Sequence, residues 1–441
     1  MTPILLLAAL LMPQDTARLT AVAAIDRALA THPAVAVARA NIDAAAADVG
    51  QARASWLPFI GLDGSLNKYQ KPMIVWPLHG LDLRNPPFFD TETSQAALGA
   101  TYTLYDFGAR SAKVKAAEST RDAADVTLGA TEQLLVARTV AAYLRVHTTR
   151  GVLAAEDQRV AALSAEAKRS RDRYAAGKAA RVDTLRASAE LANALADRVS
   201  SVANVDVAEH DLARLMGVSY ESVHGAALSA AVLSRAAAGA PEARSSAEAS
   251  AGSANADVLV AARRADAAAA SVGAAKAARL PQFQATSAIV DRSNITGKWL
   301  TEWQVGVGMS WPLFTGGARE SAISRAEAVS RAAQEQLKLT RLNAAQQVDD
   351  ARAMYESSRA RVAALEAAEQ QAAEVARITA LSRDVGDGTQ TDYLLAEAAL
   401  FRARSGLVQA RNATVAARVE LARVLGELNR AWIATALETQ P

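Results

Sequence analysis

Residues 303–311 read WQVGVGMSW. Trp303, Val305, Val307, Met309 and Trp311 are apolar, and Gln304, Gly306, Gly308 and Ser310 between them are small or polar. A period of two predicts a strand with two unlike faces. The buried face of a soluble sandwich rarely ends in tryptophan twice. A strand in a bilayer needs an outward apolar band about 25 Å tall, with aromatic residues where lipid meets water. Eight steps from Trp303 to Trp311 span about 26 Å along a strand. The two tryptophans are therefore candidate membrane-interface aromatics, and the glycine face would look onto water.

Three other segments alternate in the same way. PFIGLDGSLNKY sets Ile60, Leu62 and Leu66 against Asp63, Ser65 and Asn67. ALGATYTLYD sets Leu98, Tyr102 and Leu104 against Gly99, Thr101 and Thr103, which makes Tyr102 a third interface candidate. QFQATSAIV is the weakest of the four. Four strands cannot close a barrel, and open edges are not tolerated in lipid. Copies would have to share one barrel: two chains give eight strands, three give twelve. Eight strands enclose a space filled by their own side chains, so an open lumen favours three or more chains.

The rest of the chain is built for length. Hydrophobic residues make up 51% of the 441, but only 5% are aromatic and alanine supplies much of the remainder. Alanine favours helix and buries little area, which suits thin, closely packed helices. Residues 109–173 contain no proline, and a continuous helix there would be roughly 100 Å long. Leu128, Leu135, Val146, Leu153, Val160 and Leu163 recur at threes and fours, as along a coiled-coil seam. The charged runs EDQR and EAKRSRDR beside them read as solvated faces.

The chain is also written twice. YDFGARSAKVKAAE at 105 and FTGGARESAISRAE at 314 share Gly-Ala-Arg before a helical run, with Gly108 and Gly317 separated by 209 positions. The same offset carries Gly177 to Gly386, Asp183 to Asp392 and Leu212-Ala-Arg214 to Leu421-Ala-Arg423. Upstream, ASWLPFIGL matches AARLPQFQA at an offset of 223, so the first copy carries the longer loop. The expected organisation is a signal peptide over 1–16, one repeat over 17–234, a linker over 235–257, a second repeat over 258–430 and a tail over 431–441. In the first repeat, a helix of about 35 residues leads to strands at about 58–69 and 96–106 and long helices over 109–217. In the second, strands at about 282–290 and 302–312 precede long helices over 318–426.

The signal-peptide expectation rests on the apolar run Ile4–Met12, although no Lys or Arg precedes it. No stretch reaches the roughly 18 apolar residues of a membrane-spanning helix. Lys and Arg number 48 against 46 Asp and Glu, a balance that argues against a nucleic-acid surface. The absence of cysteine excludes disulfides and thiolate chemistry. The five histidines are scattered without ligand spacing, and no phosphate loop or catalytic order is present. Neither an enzyme, a metal centre nor a cofactor is expected.

Helix, Leu-Pro, strand pair, Gly-Ala-Arg helix start and a turn of form G-x5-D-x-L, all duplicated, resemble the TolC-like outer-membrane efflux proteins. THPAV at 31 looks like that family's Asn-Pro helix start, with His32 in place of Asn. The resemblance implies a mostly α fold with a small β part. Two pseudo-repeats of helix, β-hairpin and long helical hairpin would form a homotrimeric 12-stranded β-barrel continued by an α-helical barrel. It implies a passive duct in the bacterial outer membrane, with its helices in the periplasm, partnered by a periplasmic adaptor and an inner-membrane pump. YAAGKAARVDTL and SRDVGDGTQTDYL match the periplasmic turns. Tyr174, Gly177, Lys178, Gly386 and Gly388 would then touch the adaptor, and Asp392 and Asp183 would line the aperture. Gly388 stands where the family often has a basic residue, and Leu395 where a second acid often follows. The residues alone allow a plainer reading, in which the glycines permit turns and the aspartates cap helices. A soluble or peripheral coiled-coil scaffold with a small β-sandwich is the alternative to the duct.

Overall fold

The computed structural model describes residues 18–74, 84, 89–233, 255–294, 299–385 and 387–440. The expected signal peptide and most of the expected linker lie outside these residues. So does Gly386. The chain packs as two compact units. One comprises Met1–Ala38, Thr127–Val258 and Arg341–Pro441; the other comprises Arg39–Val126 and Leu259–Thr340.

The second of these units is built on one four-stranded antiparallel sheet. Strands β1 (Phe59–Ile74), β2 (Phe89–Tyr105), β4 (Gln282–Asn294) and β5 (Trp299–Ser310) lie in the order β1-β2-β4-β5, so the hairpins of the two sequence repeats meet at β2 and β4. All four strands outrun the alternating segments. The extensions are held by charged pairs, Lys68 with Glu92 at 2.7 Å and Arg292 with Glu302 at 2.6 Å, and not by apolar periodicity.

The helical unit has a core that gathers both repeats and both ends of the described chain. Helix α1 (Ala21–Thr31) brings Ile25. Helix α3 (Ala109–Ala175) brings Val136, Val140 and Tyr143, and α4 (Arg181–Met216) brings Leu212. Helix α8 (Gln390–Val424) brings Val419, and α9 (Arg430–Ala436) brings Ile433. Tyr143 is completely buried, and its hydroxyl reaches the carbonyls of Leu19 at 2.7 Å and Ser229 at 2.6 Å. Burial pushes the phenol pKa up to about 12. A small sheet pairs β3 (Ala230–Leu233) with β6 (Leu437–Gln440), so the tail expected over 431–441 holds a helix and a strand.

The first helix departs from expectation. The sequence suggests one element of about 35 residues, but α1 ends at Thr31 and α2 (Pro33–Ala54) starts anew, with a bend of 44°. Pro33 has no backbone N–H to continue the ladder, and His32 leaves the helical region with ψ 127°. Its Nδ1 then accepts from the backbone N–H of Ala34 at 3.2 Å.

The long helices are continuous. Helix α3 runs for 67 residues, and its counterpart α7 (Ala318–Val385) for 68. Each turns back through a short loop into α4 or α8. The remaining helices are α5 (Glu221–His224) and α6 (Ala256–Ala277). Among the described residues no single helix is long and apolar enough to cross a membrane.

Two charged runs are not uniformly solvated. Glu156 and Glu166, from EDQR and EAKRSRDR, are both buried. Leu163, Glu166 and Ser170 are three and four apart, so a continuous strip of the helix carries a carboxylate into the seam.

Candidate functional site

The sheet sorts its side chains cleanly by face. Pairing runs Leu62 to Leu98, Leu98 to Ile289 and Ile289 to Trp303 in one row across all four strands. The next row on the same face runs from Ile60 through Ala100 and Ser287 to Val305, and Tyr102, Ala285 and Val307 follow. Trp303 is 78% exposed, Val305 73% and Val307 71%. Leu62, Ile60 and Met309 are exposed as well. Toward the Trp299 end of β5 the row after Trp303 is polar, with Asp291 opposite Thr301. On β4 and β5 the apolar patch is thus interrupted just beyond Trp303, while on β1 it continues to the exposed Leu66.

The opposite face carries Gly61 beside Gly99, Thr286 beside Gly306, Gln284 beside Gly308 and Gln282 beside Ser310. Trp311 lies just past β5, half exposed, and its indole N–H donates to the Arg279 carbonyl at 3.1 Å. An apolar face of this size, without cover among the described residues, marks a surface for lipid or partner.

The second candidate region is the pair of turns that close the long hairpins, both in the helical unit. The α3–α4 turn has Gly177 at φ +70°, where a side chain would be strained. Its N–H donates to the Tyr174 carbonyl at 2.9 Å, and that of Lys178 to Arg173 at 2.8 Å. Tyr174, Gly177 and Lys178 are all exposed. In the α7–α8 turn the N–H groups of Asp387 and Gly388 converge on the Ser382 carbonyl at 2.9 and 3.1 Å. A Cβ on Gly388 would lie 2.9 Å from the Arg383 backbone nitrogen. Close backbone approach therefore explains a glycine where the family resemblance suggests a basic residue.

Asp392 is exposed in the first turn of α8. Its carboxylate accepts from the Thr389 hydroxyl at 2.6 Å, while its N–H donates back to Thr389 Oγ1 at 3.1 Å. This reciprocal cap satisfies an otherwise free helix donor. Asp183 is half-buried in the first turn of α4, and its carbonyl accepts from Gln390 Nε2 at 3.4 Å, which joins the two turns.

The stronger link between the hairpins involves residues that the sequence reading leaves out. Arg383 on α7 and Glu166 on α3 form a buried ion pair, Nη1 to Oε2, at 2.6 Å. The guanidinium also bonds Asp384 at 2.9 Å and lies 4.0 Å above the Tyr393 ring centroid. Asp384 is shared with Arg169 of α3 at 2.6 Å. The hydrogen bond from Arg383, with the nearby charges of Arg383 and Arg169, holds the Asp384 carboxyl below its usual 3.8.

One cluster qualifies the scattered histidines. His224 Nδ1 lies 2.7 Å from Glu209 Oε2 and 2.7 Å from the Tyr220 hydroxyl, and His210 stacks on Tyr220 at 4.1 Å. Asp206, Glu209 and His224 together offer three ligand atoms. Arg150 already holds the buried Glu209 through Nε at 2.8 Å and Nη2 at 2.6 Å. A cation there would have to displace a guanidinium, so the cluster reads as an ionic staple between α3 and α4.

Comparison with known proteins gives a consistent picture. A family model described as "Outer membrane efflux protein" matches residues 24–218 and 249–427. Outer membrane efflux protein BepC of Brucella suis is 26% identical over 339 residues, spanning 76% of this chain and 73% of that protein. Outer membrane protein TolC of Vibrio cholerae is 26% identical over 326 residues, spanning 71% of this chain and 72% of its own. The solved structure of the outer membrane protein VceC from Vibrio cholerae matches with a TM-score of 0.78 at 22% identity. That match covers 91% of this chain and 95% of VceC and shows a shared fold. With both repeats matched by the family model, the chain belongs to the outer membrane efflux protein family and is an efflux protein of the bacterial outer membrane.

Proposed function

We propose that three copies of this chain form a passive channel whose sheets close into one twelve-stranded barrel in the outer membrane. The helices would continue it as a tunnel into the periplasm. The observation that carries this reading is the two-faced sheet: one face apolar, exposed and edged by tryptophan and charge, the other lined by Gly61, Gly99, Gly306 and Gly308. Among the described residues its outer strands β1 and β5 each have one unpaired edge, and lipid does not tolerate such edges. Pairing β5 of one copy with β1 of the next would satisfy both and close the ring by symmetry. Small residues on the inner face would leave a lumen open to water.

The partners proposed are a periplasmic adaptor, meeting Tyr174, Gly177, Lys178, Gly386 and Gly388, and an inner-membrane pump that supplies the energy. The channel would serve tripartite efflux or type I secretion and would do no chemistry on its cargo. Asp392 and, less directly, Asp183 would line the periplasmic aperture, where symmetry brings like charges together. The Glu166–Arg383 pair would hold the two hairpins of each copy together at that end.

The test is charge placement on the two faces. A lysine at Val305 or Val307 should cost about 2–4 kcal/mol in the bilayer and reduce the heat-modifiable oligomer in outer membranes. A lysine at Gly306 or Gly308 should be tolerated as lumen-facing. Equal assembly from both sets would refute the lipid-facing assignment.

A further inference from the structure

Arg110 and Arg319, the arginines of the two Gly-Ala-Arg motifs, line one cavity of about 340 Å³ inside the sheet-bearing unit. Thr103, Gln282 and Ser310 also line it. Gln282 pairs with Ser310 and donates to the Thr103 hydroxyl at 3.3 Å, so all three belong to the face that carries Gly306 and Gly308. The cavity therefore opens on the side of the sheet away from Trp303 and Val305.

Its charges do not balance. Arg110 is buried and spends its charge locally. Its Nε bonds Asp106 at 3.0 Å, Nη1 bonds the Ser55 carbonyl at 3.3 Å, and the guanidinium stacks 4.2 Å from the Trp56 ring centroid. Asp106 in turn accepts from the backbone N–H groups of Gly108 at 3.2 Å and Arg110 at 3.0 Å. That pair is neutral and already held on both sides. Lys113 and Arg319 remain. Neither pairs with a carboxylate among the described residues, and Arg319 makes only a neutral bond, Nη1 to the Pro312 carbonyl at 2.7 Å. The exposed Lys113 and the half-buried Arg319 thus line, with several neutral donors and the already paired Asp106, a cleft of mixed polarity, an arrangement completed by an acceptor-only, negatively charged group.

We propose that this cavity binds one small oxyanion per chain, of the phosphate, sulfate or carboxylate class, through Lys113 and Arg319 with Gln282 and Ser310 as neutral donors. The ligand comes from water and not from a lipid headgroup, because the apolar face of the sheet points the other way. The site is complete within one chain, so it goes beyond the channel assignment and does not depend on the number of copies.

The experiment is calorimetric titration of inorganic phosphate into the delipidated full-length protein in neutral detergent, with ionic strength held constant by chloride. Saturable binding of one phosphate per chain is expected, with a dissociation constant of about 1 mM or tighter. The double change Lys113→Gln and Arg319→Gln should weaken it at least about tenfold, since both charge-assisted contacts are lost. Lys113→Gln alone, which removes no bond within the protein, should weaken it measurably while leaving the thermal unfolding of the phosphate-free protein unchanged. Lys168→Gln, an exposed lysine elsewhere, should change nothing. Absence of saturable phosphate binding would overturn the proposal. So would equal affinity in wild type and the Lys113 variant, or binding seen only with phosphatidylglycerol micelles.

Discussion

Replacing Arg383 with Met isolates the Glu166 carboxylate. Both side chains of this pair are more than nine-tenths buried, and they meet at 2.6 Å. Breaking a buried pair by removing one partner costs about 3–5 kcal/mol, because the remaining charge is left without solvent or counterion. The cost falls on Glu166 and not on Asp384, which is half exposed and keeps Arg169 at 2.6 Å. Methionine retains packing against Tyr393 while losing the cation over its ring. At about 1.4 kcal/mol per factor of ten, opening of the two turns should become more frequent by two to three orders of magnitude or more. Hydrogen exchange resolves this directly: amides in residues 160–185 and 380–395 should lose protection, while those around Tyr143 should not. Adding Glu166→Gln should restore much of the protection, since a neutral pair leaves no orphaned charge. Unchanged exchange in Arg383→Met, or a double variant no better protected than the single, would show that the Glu166–Arg383 pair does not hold the turns.

Two further outcomes are expected. Asp392→Ala should raise basal conductance in planar bilayers or weaken cation block there; no change in either would leave Asp392 only its cap with Thr389. The Asp384 carboxyl titrates below its usual 3.8, so its contribution to the turn network is complete above that pH and is lost as pH falls through the depressed value. Acidification from pH 7 to 5 should therefore leave exchange of the turn amides unaffected by Asp384, and loosening should begin only below about pH 4.

Much of the fold can be read from residue spacing, because a bilayer strand needs strict alternation and a long helical hairpin needs a repeating seam. WQVGVGMSW is legible for that reason, and the offset of 209 places the second copy of each turn. QFQATSAIV is weak because Ala285 and Ser287 dilute the face that Phe283 and Ile289 mark, and pairing with Val305 and Val307 bears that face out. The helix break at Pro33 is missed where one helix of about 35 residues is expected, because the apolar pattern runs through it; the proline is the signal that could have found it. What periodicity of apolar residues misses is a polar residue in an apolar role. Glu166 sits in a run of charges, and its partner lies 217 positions away, so only the tertiary structure brings the pair together. Gly388 is similar: its reason is a backbone approach to Arg383 that no local pattern announces.

The proposed channel requires a sheet wetted by lipid on one face and by water on the other in an assembly of several copies. Membrane fractionation followed by detergent extraction and mass measurement tests it most directly. Outer-membrane material that needs detergent to stay in solution is expected, with a protein mass three times that of one chain. A monodisperse single chain, soluble in plain buffer, would contradict it.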